Sequence, residues 1–199
     1  MRKWLLGVRL VLVISVLPGL ATAQSYLVNF YANNAGPASV ADQTLRLINV
    51  GQLGTPLTTP AGDVCANIYV FDNSQEMTAC CSCRLKANGL ASVSVAKQLT
   101  NNPLTPIIPS AGVIKILPII AGTATCSAVA PFASPDASLV QGFSTHVEVS
   151  GSAMFITETP LPSSLLGPDE AAFLSNACFF VRYLGGSTYG TCGCTTPGH

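Results

Sequence analysis

Apolar and polar residues alternate, or β-branched residues run together, in short stretches along most of the chain after residue 24. Gly, Pro, Asn and Asp occupy nearly every gap, for example at Asn88-Gly89, where we expect the glycine to adopt a positive φ. Regularly spaced short strands separated by turn residues predict a mainly β fold, an antiparallel β-sandwich. The predicted strands cover residues 25–31, 44–50, 64–72, 76–82, 90–97, 113–120, 139–150 and 153–158.

One segment near the C-terminus has a helical period instead. Residues 167–170 read Gly-Pro-Asp-Glu, which is a helix start with proline at the first helical position, and two glycines at 185–186 are a stop signal. These signals predict one C-terminal helix over residues 168–184, followed by a tail. Segments 101–110 and 159–168 contain three prolines each and are predicted to be extended loops. The predicted buried stripe of the helix is Phe173, Ala177, Phe180, Val181 and Leu184, with Cys178 beside it.

The first 23 residues have the three regions of a secretory signal peptide. The basic region is formed by Arg2, Lys3 and Arg9. An apolar region follows at residues 10–17, and residues 21–23 give the Ala-Thr-Ala cleavage pattern. The apolar run is about half of the roughly 20 residues that a spanning helix needs, so we expect cleavage and no membrane insertion afterwards. Residues 24–199 are then long enough for a single domain that includes the helix and the tail.

Charge argues against two classes of partner. Signal cleavage would reduce nine basic residues to six, against nine acidic ones, and leave the mature protein with a net charge of about −3. Nucleic acid and anionic membranes both need clustered positive charge, so we expect neither as a partner. Charged residues make up only 9% of the chain. Such a weakly charged surface gives little electrostatic repulsion between copies and favours self-association.

Eight cysteines, all beyond residue 64, indicate four disulfides and an oxidising compartment, either the extracellular medium or the periplasm. Adjacent residues of a strand point to opposite faces, so Cys80 and Cys81 are predicted to have different partners. Residues two apart share a face, which favours a double bridge from Cys81 and Cys83 to the tail. The remaining pairings stay open. The eight residues are Cys65, Cys80, Cys81, Cys83, Cys126, Cys178, Cys192 and Cys194.

Two other interpretations of these cysteines are a metal site and a redox-active pair. The C-C-x-C and C-x-C clusters could supply four thiolates to zinc or an iron-sulfur cluster. Neither spacing is the C-x2-C typical of structural zinc sites, and export favours oxidation. Cys80 and Cys83 form a C-x-x-C pair, but Cys81 lies between them and no thioredoxin-like βαβ pattern surrounds them. We therefore predict neither a metal nor another cofactor.

Residues for catalysis are scarce. His146 is the single histidine in the body of the chain, because the other, His199, is the last residue. Ser144 is two positions away, and no G-x-S-x-G elbow is present. On a strand His146 and Glu148 share a face, and we predict an exposed surface pair there. We predict that the protein is not an enzyme.

Candidate acid pairs for glycoside hydrolysis are weak. They are Asp136 with Glu158 and Asp169 with Glu170, and the second pair is explained by its position at the helix start.

The segment G-D-V-C-A-N-I-Y-V-F-D-N-S-Q-E-M-T-A-C-C-S-C, ending at Cys83, resembles a family of uncharacterised secreted, cysteine-rich proteins of environmental bacteria. The similarity continues with H-V-E-V from His146, T-E-T from Thr157, the helix through Cys178 and the closing G-T-C-G-C. It extends over most of the chain after the signal peptide. The resemblance implies secretion and one disulfide-rich domain, and it implies no catalytic residues.

The first functional hypothesis is a structural subunit of an extracellular filament, pilus-like fibre or matrix. Directly after the predicted cleavage site, a strand carries Tyr26, Val28 and Phe30 on one face, and a flexible stretch at residues 33–37 follows. Such a strand could leave its domain and complete the sheet of a neighbouring copy. The alternative is that it forms an ordinary first strand of its own sandwich.

The second hypothesis is a monomeric, secreted or cell-surface module that binds a carbohydrate or small molecule. Its aromatic residues are scattered, and Tyr183 and Tyr189 near the tail are the candidates for contact.

Overall fold

The computed structural model describes residues 24–33, 42–51, 62–129, 134–186 and 188–194. The predicted signal peptide, residues 34–37 of the predicted flexible stretch, and His199 lie outside these residues. Strands occur in every predicted place, and the helix has the predicted bounds. The elements are β1 (Ser25–Ala32), β2 (Thr44–Asn49), β3 (Val64–Asp72), β4 (Met77–Leu85), β5 (Leu90–Ser94), β6 (Ala111–Ile120), β7 (Val140–Ser150), β8 (Ala153–Pro160), β9 (Ser163–Leu165) and α1 (Pro168–Leu184).

The strands form two antiparallel sheets, and this confirms the predicted mainly β sandwich with one C-terminal helix. The five-stranded sheet has the order β4-β3-β6-β1-β9, and the four-stranded sheet has the order β5-β2-β7-β8. A core of apolar residues from both sheets fills the space between them. A second core lies between the outer face of the five-stranded sheet and α1.

Residues 159–168 differ from the predicted loop, because they hold the end of β8 and all of β9. The Leu161 N–H still donates to the Gly142 carbonyl of β7 at 2.8 Å. One residue later, the Pro162 carbonyl accepts from the Val28 N–H of β1 at 3.0 Å. The chain therefore passes from one sheet to the other within two residues. Prolines fit here because β8 and β9 are the outermost strands of their sheets.

Where one face of a strand is covered, every second residue is buried. Where both faces are covered, consecutive residues are buried. In β2, Leu45, Leu47 and Asn49 are buried while their neighbours are half-buried. In β3 the first eight residues are all buried. The four-stranded sheet covers one face of β3, and α1 with the loop before β7 covers the other. This double cover explains why β3 has an almost unbroken apolar sequence.

Helix α1 buries a different stripe from the predicted one. Its buried residues are Leu174, Cys178 and Val181. Cys178 is bonded to Cys80 of β4, so this disulfide determines which side of the helix faces the sheet. The prediction was correct for Val181 and wrong for three larger residues, which are half or more exposed. These are Phe173, Phe180 and Leu184.

The turn before β5 uses its asparagine rather than its glycine for the left-handed conformation. Asn88 has a φ of 59°, and Gly89 has no positive φ. Asparagine tolerates this region better than other residues with a side chain. Gly89 is needed for space instead, because a Cβ there would lie 2.7 Å from the Lys86 carbonyl oxygen.

Candidate functional site at the edges of the sandwich

Four disulfides join the eight cysteines in pairs. The double bridge from β4 to the tail is confirmed, and Cys80 and Cys81 have different partners, as predicted from strand alternation. Cys80 lies in the core beneath α1, whereas Cys83 lies in the core between the sheets. Four disulfides indicate an oxidising environment, extracellular or periplasmic. The pairs are Cys65–Cys126, Cys80–Cys178, Cys81–Cys192 and Cys83–Cys194.

The tail closes the outer edge of β4. The Cys80 N–H donates to the Gly190 carbonyl at 3.1 Å, and Thr191 forms a parallel bridge with Cys80. Nearby, the Leu104 N–H donates to the Thr78 carbonyl at 2.9 Å. Polar groups of an edge strand that would otherwise remain open are thus paired within the chain. We call β4 with residues 190–194 the closed edge.

The tail also contacts the far end of the four-stranded sheet. A π-helical turn (Val95–Leu99) follows β5, and its Gln98 carbonyl accepts from the Gly193 N–H at 2.9 Å. Cys192 and Cys194 pack against the core between the sheets. The same short segment therefore contacts both sheets, at β4 and at the turn after β5.

The predicted assembly residues lie on β1, which is an internal strand of its own domain here. It pairs with β6 from Leu27 to Ala32, but with β9 only from Ser25 to Leu27. Tyr26 packs against the core beneath α1, Val28 is half-buried, and Phe30 is exposed. No disulfide of the described residues involves β1.

A side chain takes the place of a strand partner on the open half of β1. Gln43 Nε2 donates to the Phe30 carbonyl at 3.2 Å, and Gln43 Oε1 accepts from the Ala32 N–H at 3.2 Å. Both main-chain groups are ones that a neighbouring strand would pair. The Gln43 amide therefore caps this edge against further strand addition.

The Gln43 cap belongs to a group of four buried polar side chains. The other three are Asn29, Ser144 and His146. Asn29 Nδ2 donates to Ser144 Oγ at 2.8 Å, and Gln43 Nε2 lies 3.0 Å from His146 Nδ1. The exposed ring of Phe30 stacks on His146 with a centroid distance of 4.4 Å. Burial of His146 thus depends on residues from β1 and from the segment before β2.

The predicted surface pair of His146 and Glu148 is wrong, because His146 is buried and Glu148 is exposed. The pairing of β2 with β7 ends at Thr145, so β7 leaves the sandwich just beyond that residue. Gln43 and Phe30 still cover His146 at this point. Glu148, two residues later on β7, lies beyond these two side chains and is exposed.

The backbone of β1 orients the Gln43 amide toward His146. Because Gln43 Oε1 faces an N–H and Nε2 faces a carbonyl, Nε2 is the atom that approaches the imidazole. Gln43 Nε2 can only donate, and it also lies 3.2 Å from Ser144 Oγ. Where it donates to His146, Nδ1 is the acceptor and the neutral ring carries its proton on Nε2. Nε2 is buried without a hydrogen-bond partner among the described residues. Burial lowers the pKa of His146, and the nearby Glu148 carboxylate raises it in partial opposition.

Strand β8 is the open edge of the molecule. It is the last strand of the four-stranded sheet, and all eight of its residues are exposed. Met154, Phe155 and Ile156 are 50%, 57% and 54% exposed. Beyond its pairing with β7, the outer edge of β8 has no strand partner among the residues that the structure describes. Unlike β4, this edge has neither a tail nor a disulfide over it in the part of the chain that the structure describes.

Helix α1 presents aromatic side chains to solvent. Phe179 and Tyr183, one helical turn apart, have nearly parallel rings with centroids 6.2 Å apart. Phe180 lies beside Phe179 in an edge-to-face arrangement. Tyr183 and Tyr189, the predicted contact residues, are both more than half exposed.

A recess of about 470 Å³ lies beside β1 and β7. Leu27, Phe143 and Leu161 form part of its wall, and Asp136 is the one carboxylate in its lining. Asp136 Oδ1 accepts from the Ser138 N–H at 2.8 Å and so caps a 3₁₀ turn. This carboxylate is engaged in local structure rather than paired with a nucleophile or base.

Comparisons with protein-family models, with curated proteins and with solved structures each found no match for this chain. Within the described residues, no helix has the length and apolar character that crossing a membrane requires. The candidate site consists of the open edge at β8, with the capped edge of β1 beside it.

Proposed function

We propose that this chain is a secreted structural protein that associates with copies of itself through the open edge at β8. Export is supported by the signal-peptide pattern of residues 1–23 and by four disulfides. The observation that carries the self-association is the exposure of Met154, Phe155 and Ile156 on an edge strand. An exposed apolar edge strand is a template for pairing with another chain.

A second copy is an occupant that fits this strand by symmetry. Two β8 strands related by a two-fold axis run antiparallel, and each residue then lies opposite a residue of the same face. With the axis at Phe155, each phenylalanine opposes its copy, and Met154 opposes Ile156 of the second molecule. Glu158 then lies opposite the turn that precedes β8 and not opposite its own copy. The two four-stranded sheets would form one continuous sheet across the contact.

Charge and local pairing also favour this contact. The one ionisable side chain of β8 is Glu158, and its carboxylate lies 3.3 Å from the Arg46 guanidinium of the same molecule. The strand therefore brings no unpaired charge to the interface. With so few charged residues on the whole chain, long-range repulsion between copies is weak.

Chromatography with light scattering on the oxidised mature chain, residues 24–199, tests the proposal. We expect oligomers at micromolar concentration, and Ile156→Lys is expected to convert them to monomers by placing a charge in the contact. Ile107→Lys is the matched control, because Ile107 is 75% exposed in a loop away from β8. A wild-type chain that stays monomeric, or oligomers that persist in Ile156→Lys, would refute assembly through β8.

Exchange of the N-terminal strand is the competing route for the same assembly. The strand is free of disulfides, but β6, β9 and the Gln43 amide all pair with it within its own domain. Deleting residues 24–37 distinguishes the routes. Folded monomers that bind a peptide of residues 24–37 would indicate strand exchange. Under the β8 route, the deletion removes an internal strand and the domain is expected to unfold.

The alternative is a carbohydrate-binding module, and the parallel rings of Phe179 and Tyr183 favour it specifically. Sugars stack on exposed aromatic faces, and two such rings lie side by side on α1. Sedimentation with insoluble polysaccharides checks this function. Binding that is lost in Tyr183→Ala but kept in Tyr189→Ala would support it, and absence of binding to the whole panel would contradict it.

A further inference from the structure

Four cysteine sulfurs meet at the closed edge. Cys81 and Cys83 alternate along β4, and Cys192 and Cys194 alternate along the tail. The Sγ atoms of Cys81, Cys83 and Cys194 all lie within 4.8 Å of one another. Cys194 Sγ is 3.8 Å from Cys81 Sγ, although these two atoms are not bonded. The two disulfides are therefore in contact with each other.

The 3.8 Å between Cys194 Sγ and Cys81 Sγ equals the separation of two sulfurs in a tetrahedral thiolate site. Zinc–sulfur bonds are about 2.3 Å long, so neighbouring sulfurs of a tetrahedron lie about 3.8 Å apart. Sulfur ligands in such an arrangement favour thiophilic cations such as Zn²⁺. Cys192 would supply the fourth ligand, because its sulfur is held next to Cys81 by the present disulfide.

Hydrogen bonds hold the tail in place independently of its disulfides. Gly190 is paired with Cys80 through its carbonyl and with the Asn102 carbonyl through its N–H, at 3.1 Å and 2.9 Å. Thr191 Oγ1 accepts from Asn102 Nδ2 at 3.0 Å, and Gly193 donates to the Gln98 carbonyl. Loss of the two S–S bonds would leave these contacts intact. The four sulfurs would therefore stay close together.

We propose that the closed edge is a redox-dependent metal site, in which the reduced sulfurs of Cys81, Cys83, Cys192 and Cys194 bind one divalent thiophilic cation. Two molecules of a dithiol reductant transfer four electrons and four protons. Two protein S–S bonds break, four S–H groups form, and each reductant molecule becomes a disulfide. The cation then forms four metal–sulfur bonds and the thiols release four protons. This inference is independent of assembly through β8.

Exposure distinguishes one of these two disulfides. Cys81 and Cys192 are both half-buried, whereas each of the other three bridges has at least one buried residue. A reductant is thus expected to reach Cys81–Cys192 first. The thiol that it frees at Cys81 lies 3.8 Å from Cys194 Sγ, within reach of the second tail bridge. The bridges Cys65–Cys126 and Cys80–Cys178 then keep the rest of the fold together.

Cobalt binding to the partially reduced mature chain tests the proposal. The protein is treated anaerobically with a phosphine until four thiols are titrated, freed of reductant and titrated with Co²⁺. We expect one Co²⁺ per chain, with the absorption of tetrahedral cobalt thiolate, and its displacement by Zn²⁺. The pair Cys81→Ser with Cys192→Ser should weaken binding more than roughly 100-fold, since even indirect partners of a metal site contribute 10–100-fold.

A matched control uses the remote bridge. Cys65→Ser with Cys126→Ser removes a disulfide but leaves the four sulfurs, so cobalt binding should be retained. Circular dichroism accompanies each titration. Three results would overturn the proposal: a folded, four-thiol protein without stoichiometric cobalt, equal binding in the variant lacking Cys81 and Cys192, or unfolding of the protein on reduction of the tail bridges.

Discussion

Strand β4 ends one side of the sandwich beneath a tail that is bonded to it twice, whereas β8 ends the other side with every residue exposed. Both strands are eight or nine residues long, so length alone does not explain the difference. What differs is the chemistry of the edge. Sheet edges are hazards for uncontrolled pairing and are usually covered or charged. The proposed contact between copies rests on this difference, since one edge is covered covalently and the other is apolar and exposed.

Removing both tail bridges from the closed edge is expected to lower the free energy of unfolding more than any other change considered below. Cys80–Cys178 already joins β4 to α1, so either tail bridge alone closes a ring of only about 15 residues in the unfolded chain. In the chain-entropy model, the first tail bridge contributes about 3 kcal/mol and the second, which closes a still shorter ring, about 2 kcal/mol. Serine at all four positions should lower the free energy of unfolding by about 5 kcal/mol in guanidinium titrations.

Variants that lack one bridge serve as the control for this prediction. Cys81→Ser with Cys192→Ser, or Cys83→Ser with Cys194→Ser, should lower the free energy of unfolding by only about 2 kcal/mol. A loss of about 3 kcal/mol or more in each single-bridge variant would mean that the bridges act separately. In that case the closed edge would not be a single clamp.

Gln43→Ala tests the side-chain cap of β1, an edge intermediate between the closed and open ones. The change leaves the Phe30 carbonyl, the Ala32 N–H and the buried His146 without their amide partner. Unmade hydrogen bonds at partly buried groups predict a loss of about 2 kcal/mol in the free energy of unfolding, measured by urea titration. Gln141→Ala, at an exposed position of β7, should change it by less than about 0.5 kcal/mol. Equal losses in both variants would contradict the capping role.

The neutral state of His146 predicts a pH effect at the same edge. Burial lowers its pKa in the folded chain below the ordinary value of 6.5. As pH falls below about 6.5, the unfolded chain binds a proton that the folded chain does not, so unfolding becomes more favourable until the folded pKa is reached. Stability measured between pH 7 and pH 5 should therefore decline on acidification. His146→Phe should flatten that decline, and an unchanged slope in this variant would count against the buried imidazole as its source.

At the open edge, Phe155→Lys should alter folding least. Phe155 is 57% exposed, and substitutions at such positions usually change stability by less than about 0.5 kcal/mol. The same substitution should raise the dissociation constant for self-association at least tenfold, measured by analytical ultracentrifugation. A large loss of stability would show that β8 is packed within its own molecule, and would remove the contrast with β4.

Local signals predicted most of the framework. Proline at 168 and the glycines after Leu184 are sufficient for the bounds of α1, because helix termini depend on the residues next to them. The double bridge to the tail followed from strand alternation, which places Cys81 and Cys83 on one face. These features need no knowledge of distant contacts.

Features that depend on distant contacts were not predictable in the same way. The rotation of α1 depends on the Cys80–Cys178 bond, and helical spacing alone does not favour Leu174 over Phe173. Gln43 acts on β1 across a segment with no distinctive pattern. The sequence does contain a signal for the open edge. Three consecutive apolar residues at 154–156 break the alternation expected of a half-buried strand.

The bridge from Cys81 to Cys192 also has a mechanical consequence. Tension applied between Gln24 and the tail would run along the main chain through β1, β2 and β3 to β4, and would then cross the disulfides directly into the tail. The segment between the two cysteines, which includes β5 to β9 and α1, would carry no load. Under tension the extensible length of the molecule is therefore set by the chain from Gln24 to Cys81, and the disulfide prevents the longer segment from being stretched.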